Sequence, residues 1–297
     1  MPCYHPVKAF QCADGSVVFS DSFRRHDIRR CLDLPCGQCV GCRLERSRQW
    51  ALRCLHESKM HKRNCFVTLT YDDAHLPSDL SLDYRHFQLF MKRLRREKGK
   101  VRFYMCGEYG EKLGRPHYHA LLFGIDFDDK VVISGGKGYK LYRSATLERL
   151  WPYGFSSIGE VTFKSAAYCA RYIMKKVTGD AAKSHYSGLD LATGEVVSRT
   201  PEFNHMSLKP GIGATFADKF RSDVYPSDQC VVNGKPSKPP RYYDNRLKKV
   251  DPDLHEEILY KRELDMRKRY EDNTNSRLQV KEQVTKARVE MYKRNKL

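Results

Sequence analysis

The sequence predicts an α+β fold, an antiparallel central sheet with helices packed on one face. Three observations predict it. Val101 to Tyr109 and Pro116 to Gly124 both alternate at strand period, and Gly110 to Arg115 between them carries the glycines of a hairpin turn. Phe87, Phe90, Met91 and Leu94 repeat at helical period upstream. Strand and helix patterns then follow one another as β-α-β-β-α-β-α, with two strands joined directly, which favours an antiparallel sheet over a wound parallel one.

The elements come in order. Residues 1–62 form a cysteine-bearing leader that ends in a basic helix, about Arg43 to Lys62, with Arg46, Arg48, Arg53 and Lys59 along it. A charge run of this kind is normally a solvated face, and it can also grip phosphates. Residues 63–180 are the best-patterned region. Phe66, Val67, Leu69 and Tyr71 make a short strand, and Asp83 starts the helix that carries Phe87 to Leu94. After the hairpin come a short helix at Thr146–Leu150, a strand at Tyr153–Phe163 and a helix from Ser165 to about Thr178, with Gly179 as its stop. Residues 181–250 are irregular, and Pro226 to Pro240 reads as a linker or exposed extended segment. Lys209-Pro210-Gly211-Ile212-Gly213 reads as a turn. Residues 251–297 read as two charged helices broken near Asn273-Thr274-Asn275.

The hairpin carries chemistry. His117 and His119 are two apart on a strand, so both imidazoles share one face. If the turn is centred on Lys112 and Leu113, Glu108 lies directly opposite His117 and diagonal to His119. Two imidazoles and one carboxylate leave coordination positions open, the layout of a catalytic rather than a closed structural metal site. About fifty residues on, Tyr168, Tyr172 and Lys175 share a helix face at i, i+4 and i+7. Either tyrosine alone would be an ordinary half-buried residue. The pair followed by a lysine is different, because a phenol ionises near pH 10 and a neighbouring cation favours the phenolate.

The chain has 11 cysteines, unevenly placed. Cys36, Cys39 and Cys42 have zinc-knuckle spacing, with Cys31 as the expected fourth ligand of a structural Zn²⁺ and Cys3 or Cys12 as alternatives. The fourth cysteine and trailing proline of a bacterial ferredoxin run are missing, which weighs against an iron–sulfur cluster. With no secretion signal opening the chain, reduced thiols or metal ligands are expected rather than disulfides.

At 297 residues the chain can hold one large domain with appendages. The formal charge is +18, from 54 Lys and Arg against 36 Asp and Glu, which suits a polyanionic partner. No apolar run is long enough to span a bilayer and no interfacial helix is evident, so no membrane partner is expected.

Three segments together resemble the HUH endonucleases, the rolling-circle replication initiators and their relatives. Phe66-Val67-Thr68-Leu69-Thr70 resembles the first-strand motif, and Pro116-His117-Tyr118-His119 the His-hydrophobic-His metal motif, with Tyr118 in place of the usual aliphatic residue. Tyr168 to Lys175 resembles the two-tyrosine helix, Arg171 following Tyr168 and Lys175 following Tyr172. Residues 1 to about 215 more closely resemble the initiators of gokushovirus-type microviruses, including Cys36-Gly37-Gln38-Cys39-Val40-Gly41-Cys42-Arg43 and Met206-Ser207-Leu208-Lys209-Pro210-Gly211-Ile212-Gly213.

The resemblance implies an HUH-type, ferredoxin-like β-α-β-β-α-β core. It implies a Mg²⁺ or Mn²⁺ ion held by His117, His119 and Glu108, and nucleophilic Tyr172 and Tyr168 assisted by Lys175. The implied reaction is transesterification of single-stranded or origin duplex DNA, in the host bacterial cytoplasm, alongside a host helicase and polymerase. Two other readings share part of the pattern. One is a zinc-stabilised nucleic-acid-binding protein without nuclease activity, and the other a related transposase or relaxase.

Overall fold

The computed structural model describes residues 3–19, 27–110, 113–136, 139–171, 176–177 and 179–294. In chain order the elements are β1 (Val7–Cys12), β2 (Val17–Val18), β3 (Ile28–Leu34), α1 (Val40–Lys59), β4 (Asn64–Tyr71), α2 (Tyr84–Lys98), β5 (Arg102–Tyr109) and β6 (Pro116–Phe123). They continue with β7 (Val131–Gly136), β8 (Tyr139–Arg143), α3 (Ala145–Leu150), β9 (Gly154–Gly159), α4 (Phe163–Arg171), α5 (Ala181–His185), β10 (Ser187–Leu189), β11 (Val196–Ser198) and β12 (Phe203–Met206). The remainder is α6 (Ala214–Lys219), α7 (Arg221–Val224), β13 (Cys230–Val232), β14 (Lys235–Ser237), α8 (Arg241–Val250), α9 (Pro252–Arg267) and α10 (Asn275–Arg294).

By contact the chain divides into two compact units. One joins Met1–Arg46 to Glu257–Leu297, and the other is Ser47–Glu256. The segments drawn at residues 62, 180 and 250 follow composition along the chain rather than these units. In the first unit β2-β1-β3 form a small antiparallel sheet in the leader, where no strand was expected.

The second unit is built on a seven-stranded antiparallel sheet of order β12-β5-β6-β4-β9-β8-β7. The strands expected from the sequence are four consecutive ones, β5-β6-β4-β9. The hairpin β7-β8 and the edge strand β12 were not expected. The hairpin strands that carry Glu108 and the histidines are second and third in the sheet, and β4 is the middle strand.

The helices cover both faces of this sheet, which corrects the expectation of one. On one face Val67, Leu69, Tyr118, Ala120 and Leu122 pack with Phe87, Phe90 and Leu94 of α2, and with Leu147, Leu150 and Trp151 at α3. On the other, Tyr104, Cys106, Leu121 and Phe123 pack with Ala51 and Cys54 of α1 and with Ala166, Cys169 and Ala170 of α4. The physical reason is visible in β6. Ala120-Leu121-Leu122-Phe123 is apolar on both sides of the pleat, so both sides must be covered.

Local chemistry fixes these elements. The Asp83 side chain caps α2 by accepting from Arg85 N at 2.7 Å. Tyr118 is fully buried, donates its hydroxyl to Asp83 O at 2.7 Å and accepts from Asp83 N at 3.0 Å. It therefore ties the start of α2 to β6, on the face away from its histidine neighbours. Gly154 opens β9 at φ +142°, where an added Cβ would lie 2.2 Å from Asp72 N, so only glycine fits. The break expected near Asn273 separates α9 from α10. No helix among the described residues is long and apolar enough to cross a membrane.

Candidate metal and nucleophile site

The hairpin register is the one that the turn predicts. Glu108 pairs with His117 and Cys106 with His119. Alternation then sends Glu108, His117 and His119 to the face covered by α1 and α4. His117 Nε2 and His119 Nε2 each lie 2.8 Å from the same oxygen, Glu108 Oε1. Glu108 and His119 are buried, and His117 is partly open. The three residues form one group able to hold a metal ion.

The far nitrogens orient the rings. His117 Nδ1 is 3.0 Å from Arg115 O, which can only accept, so this nitrogen carries the proton. In the neutral imidazole the Nε2 lone pair then faces a carboxylate oxygen at 2.8 Å. Two acceptors that close need a positive centre between them, an added proton or a cation. His119 Nδ1 meets Thr68 Oγ1 at 2.9 Å. Burial alone would raise the Glu108 carboxyl, but the imidazoles of His117 and His119 bring it below its ordinary value. The site is thus an anionic oxygen held between two oriented imidazoles, a donor set that fits a divalent cation.

Tyr168 reaches this site from α4. Its ring stands edge-on to His119 with centroids 5.0 Å apart, and edge-on to Phe66 at 6.4 Å. Phe66 in turn stacks on His119 at 5.6 Å. Asn204 of β12 holds α4 in place, its Nδ2 donating to Cys169 O at 3.3 Å and to Met105 O at 3.2 Å. Tyr172 and Lys175 lie outside the described residues.

Thr68 and the Arg115 carbonyl were not singled out from the sequence. A signal for Thr68 exists: it is a polar residue on the same strand face as Phe66, and it pairs with His119.

The cysteines gather differently from the expectation. Cys36, Cys39 and Cys42 come together with Cys3. Cys31 is exposed on β3, opposite Phe10 of β1, and stands outside the group. Its strand pairing carries it away, whereas Cys3 precedes β1 and accepts from Cys36 N at 3.3 Å. Cys12 is buried and also outside the group.

Several basic residues of α1 are engaged within the second unit. Arg48 donates to Ser237 Oγ and Lys238 O. Arg53 lies between the Trp50 and Tyr242 rings, 3.9 Å from each centroid, and donates to Ile212 O. In the Lys209–Gly213 turn, Gly213 N donates to buried Glu57 at 2.7 Å, and Glu57 also accepts from Arg102 Nε at 2.5 Å. That turn is held by the protein's own carboxylate.

Residues 64–177 match the family model described as replication-associated protein ORF2/G2P. The chain is 34% identical over 265 residues to replication-associated protein VP4 of Bdellovibrio phage phiMH2K, covering 85% of this chain and 79% of that protein. It is 33% identical over 274 residues to replication-associated protein ORF2 of Spiroplasma virus 4, covering 84% and 81%. It is 32% identical over 228 residues to replication-associated protein ORF4 of Chlamydia phage 1, covering 73% and 54%. No solved structure matches the chain.

Proposed function

Because the chain belongs to the replication-associated protein ORF2/G2P family of phages, we propose that it initiates rolling-circle replication by nicking single-stranded DNA. The observation that carries the reading is the convergence of Glu108, His117 and His119, with the Tyr168 ring against His119. This arrangement is what supports the reading of an HUH endonuclease. The charge of +18 supports a DNA partner. Host helicase and polymerase would act on the opened strand, in the host cytoplasm.

His117, His119 and Glu108 would hold the ion, Mg²⁺ or Mn²⁺. Bound there, it would supply positive charge to a non-bridging oxygen of the scissile phosphate. Arg115 and Thr68 keep both rings turned inward. The phenol oxygen of a tyrosine attacks phosphorus, forming the O–P bond as the bond to the 3′ oxygen breaks. The phenol loses its proton and the leaving oxygen gains one. A 5′-phosphotyrosine and a free 3′-OH result, and the phosphodiester energy is kept in the covalent bond. Tyr172 makes the first cut and Tyr168 the second, with the Lys175 charge favouring the phenolate.

The test is a protein–DNA adduct on a circular single-stranded substrate that survives a denaturing gel, mapped to its residue by peptide mass spectrometry. Tyr168→Phe and Tyr172→Phe should each retain some adduct, and the double variant none. An adduct that persists in the double variant refutes the tyrosine assignment. Metal-dependent cleavage without an adduct in the natural chain would mean hydrolysis by water.

A further inference from the structure

The unit made of Met1–Arg46 and Glu257–Leu297 has little apolar core. Its buried apolar residues, among those described, are Cys3, Ala9, Cys12, Ile258 and Leu278. Helices α9 and α10 are strongly charged and mostly exposed. Such a unit needs a staple beyond hydrophobic burial.

The cysteine group is built to be one. The Sγ atoms of Cys3, Cys36, Cys39 and Cys42 all lie within 4.8 Å of one another. A tetrahedral zinc with bonds of about 2.3 Å needs its sulfurs about 3.8 Å apart. The group closes onto such an ion with a contraction of roughly an ångström at most. An iron–sulfur cluster would hold the sulfurs farther apart. Backbone amides point at the sulfurs: Cys36 N at Cys3 Sγ (3.3 Å), Cys39 N at Cys36 Sγ (3.3 Å), and Tyr4 N and Cys42 N at Cys39 Sγ (3.4 and 3.5 Å). Amide donors favour the thiolate, the form that binds metal.

The residues that follow Cys3 grip the last helix. Tyr4 Oη is 2.7 Å from Thr285 Oγ1, and His5 Nε2 is 2.8 Å from Glu282 Oε2, both partners on α10. We propose that Cys3, Cys36, Cys39 and Cys42 bind one zinc ion as four thiolates, and that this ion fastens the start of the chain to α10. Binding releases the thiol protons and changes no oxidation state. The proposal is independent of the nicking reaction.

The full-length chain, purified reduced and without chelator, should carry one zinc by elemental analysis. Co²⁺ in its place should give the intense visible absorption of a tetrahedral thiolate site. Zinc should shield Cys3, Cys36, Cys39 and Cys42 from alkylation in the native chain, as mapped by mass spectrometry, and Cys31 should label with or without metal. Cys31→Ser should keep its zinc, and Cys3→Ser should lose it. Removing zinc should speed hydrogen exchange across α10 near Glu282 and Thr285, with β4 to β6 unchanged. Absence of bound zinc and of the cobalt spectrum, or zinc shielding of Cys31 in place of Cys3, would overturn the ligand set. Exchange across α10 that ignores zinc would overturn the fastening.

Discussion

The two donor groups of this chain use different kinds of atom to opposite ends. Cys3, Cys36, Cys39 and Cys42 are four soft donors whose sulfurs lie within 4.8 Å of one another, the number a tetrahedral ion takes. Glu108, His117 and His119 are three donors on paired strands, locked by sheet register and by hydrogen bonds behind each ring. Three rigid ligands leave room for a substrate oxygen; four converging thiols leave none. On the two proposals above, donor number and the stiffness of the carrier separate a site that does chemistry from one that holds a fold.

The largest effects are expected at the open group. Glu108→Gln and His119→Ala should each lower nicking by at least about a hundredfold. The sheet should survive, because α2, α3 and the opposite face are untouched, and circular dichroism with a melting curve checks this. Nicking by Glu108→Gln at the natural rate would remove Glu108 from the ligand set. Metal withdrawal should separate the groups next. Brief EDTA treatment should stop nicking, and added Mg²⁺ or Mn²⁺ should restore it. The thiolate-held zinc should remain bound through the same treatment, by elemental analysis. Loss of both ions together would mean the two groups do not differ as argued.

Smaller effects test the supports. Thr68→Val keeps the shape and removes the partner of His119 Nδ1, so the metal concentration for half-maximal nicking should rise ten- to a hundredfold. Saturating metal should recover most of the rate. An unchanged metal requirement would show that Thr68 does not orient the ring. Thr285→Val removes the hydroxyl beside Tyr4 and should cost about 1 kcal/mol, read from the denaturant midpoint of the first unit.

The open group was legible because a strand has a fixed period. His117, Tyr118 and His119 announce two faces, and a turn of known length sets Glu108 opposite His117. Cap and core of α2 were legible for the same local reason. What stayed hidden depends on distant pairings. β12 joins the sheet beside β5 from about a hundred residues downstream, with only Phe203 to Met206 to mark it. Coverage of both faces was written in Ala120–Phe123, but only as a short apolar run that a buried helix could also supply. The fourth cysteine was one of three candidates by spacing. The pairing of β1 with β3, which turns Cys31 outward and leaves Cys3 beside Cys36, is a fact of register that spacing does not contain.

The first unit is stitched from the two ends of the chain, and synthesis runs in one direction. The cysteine-bearing end leaves the ribosome first and must wait, through the making of the whole seven-stranded sheet, for the helix that Tyr4 and His5 will hold. Domains mature as they emerge, so the sheet can fold before the first unit is complete. A chain terminated between β12 and α10 would carry Glu108, His117 and His119 on a finished sheet but lack α10. The distance along the chain between Cys3 and α10 thus sets the order in which the two units are completed.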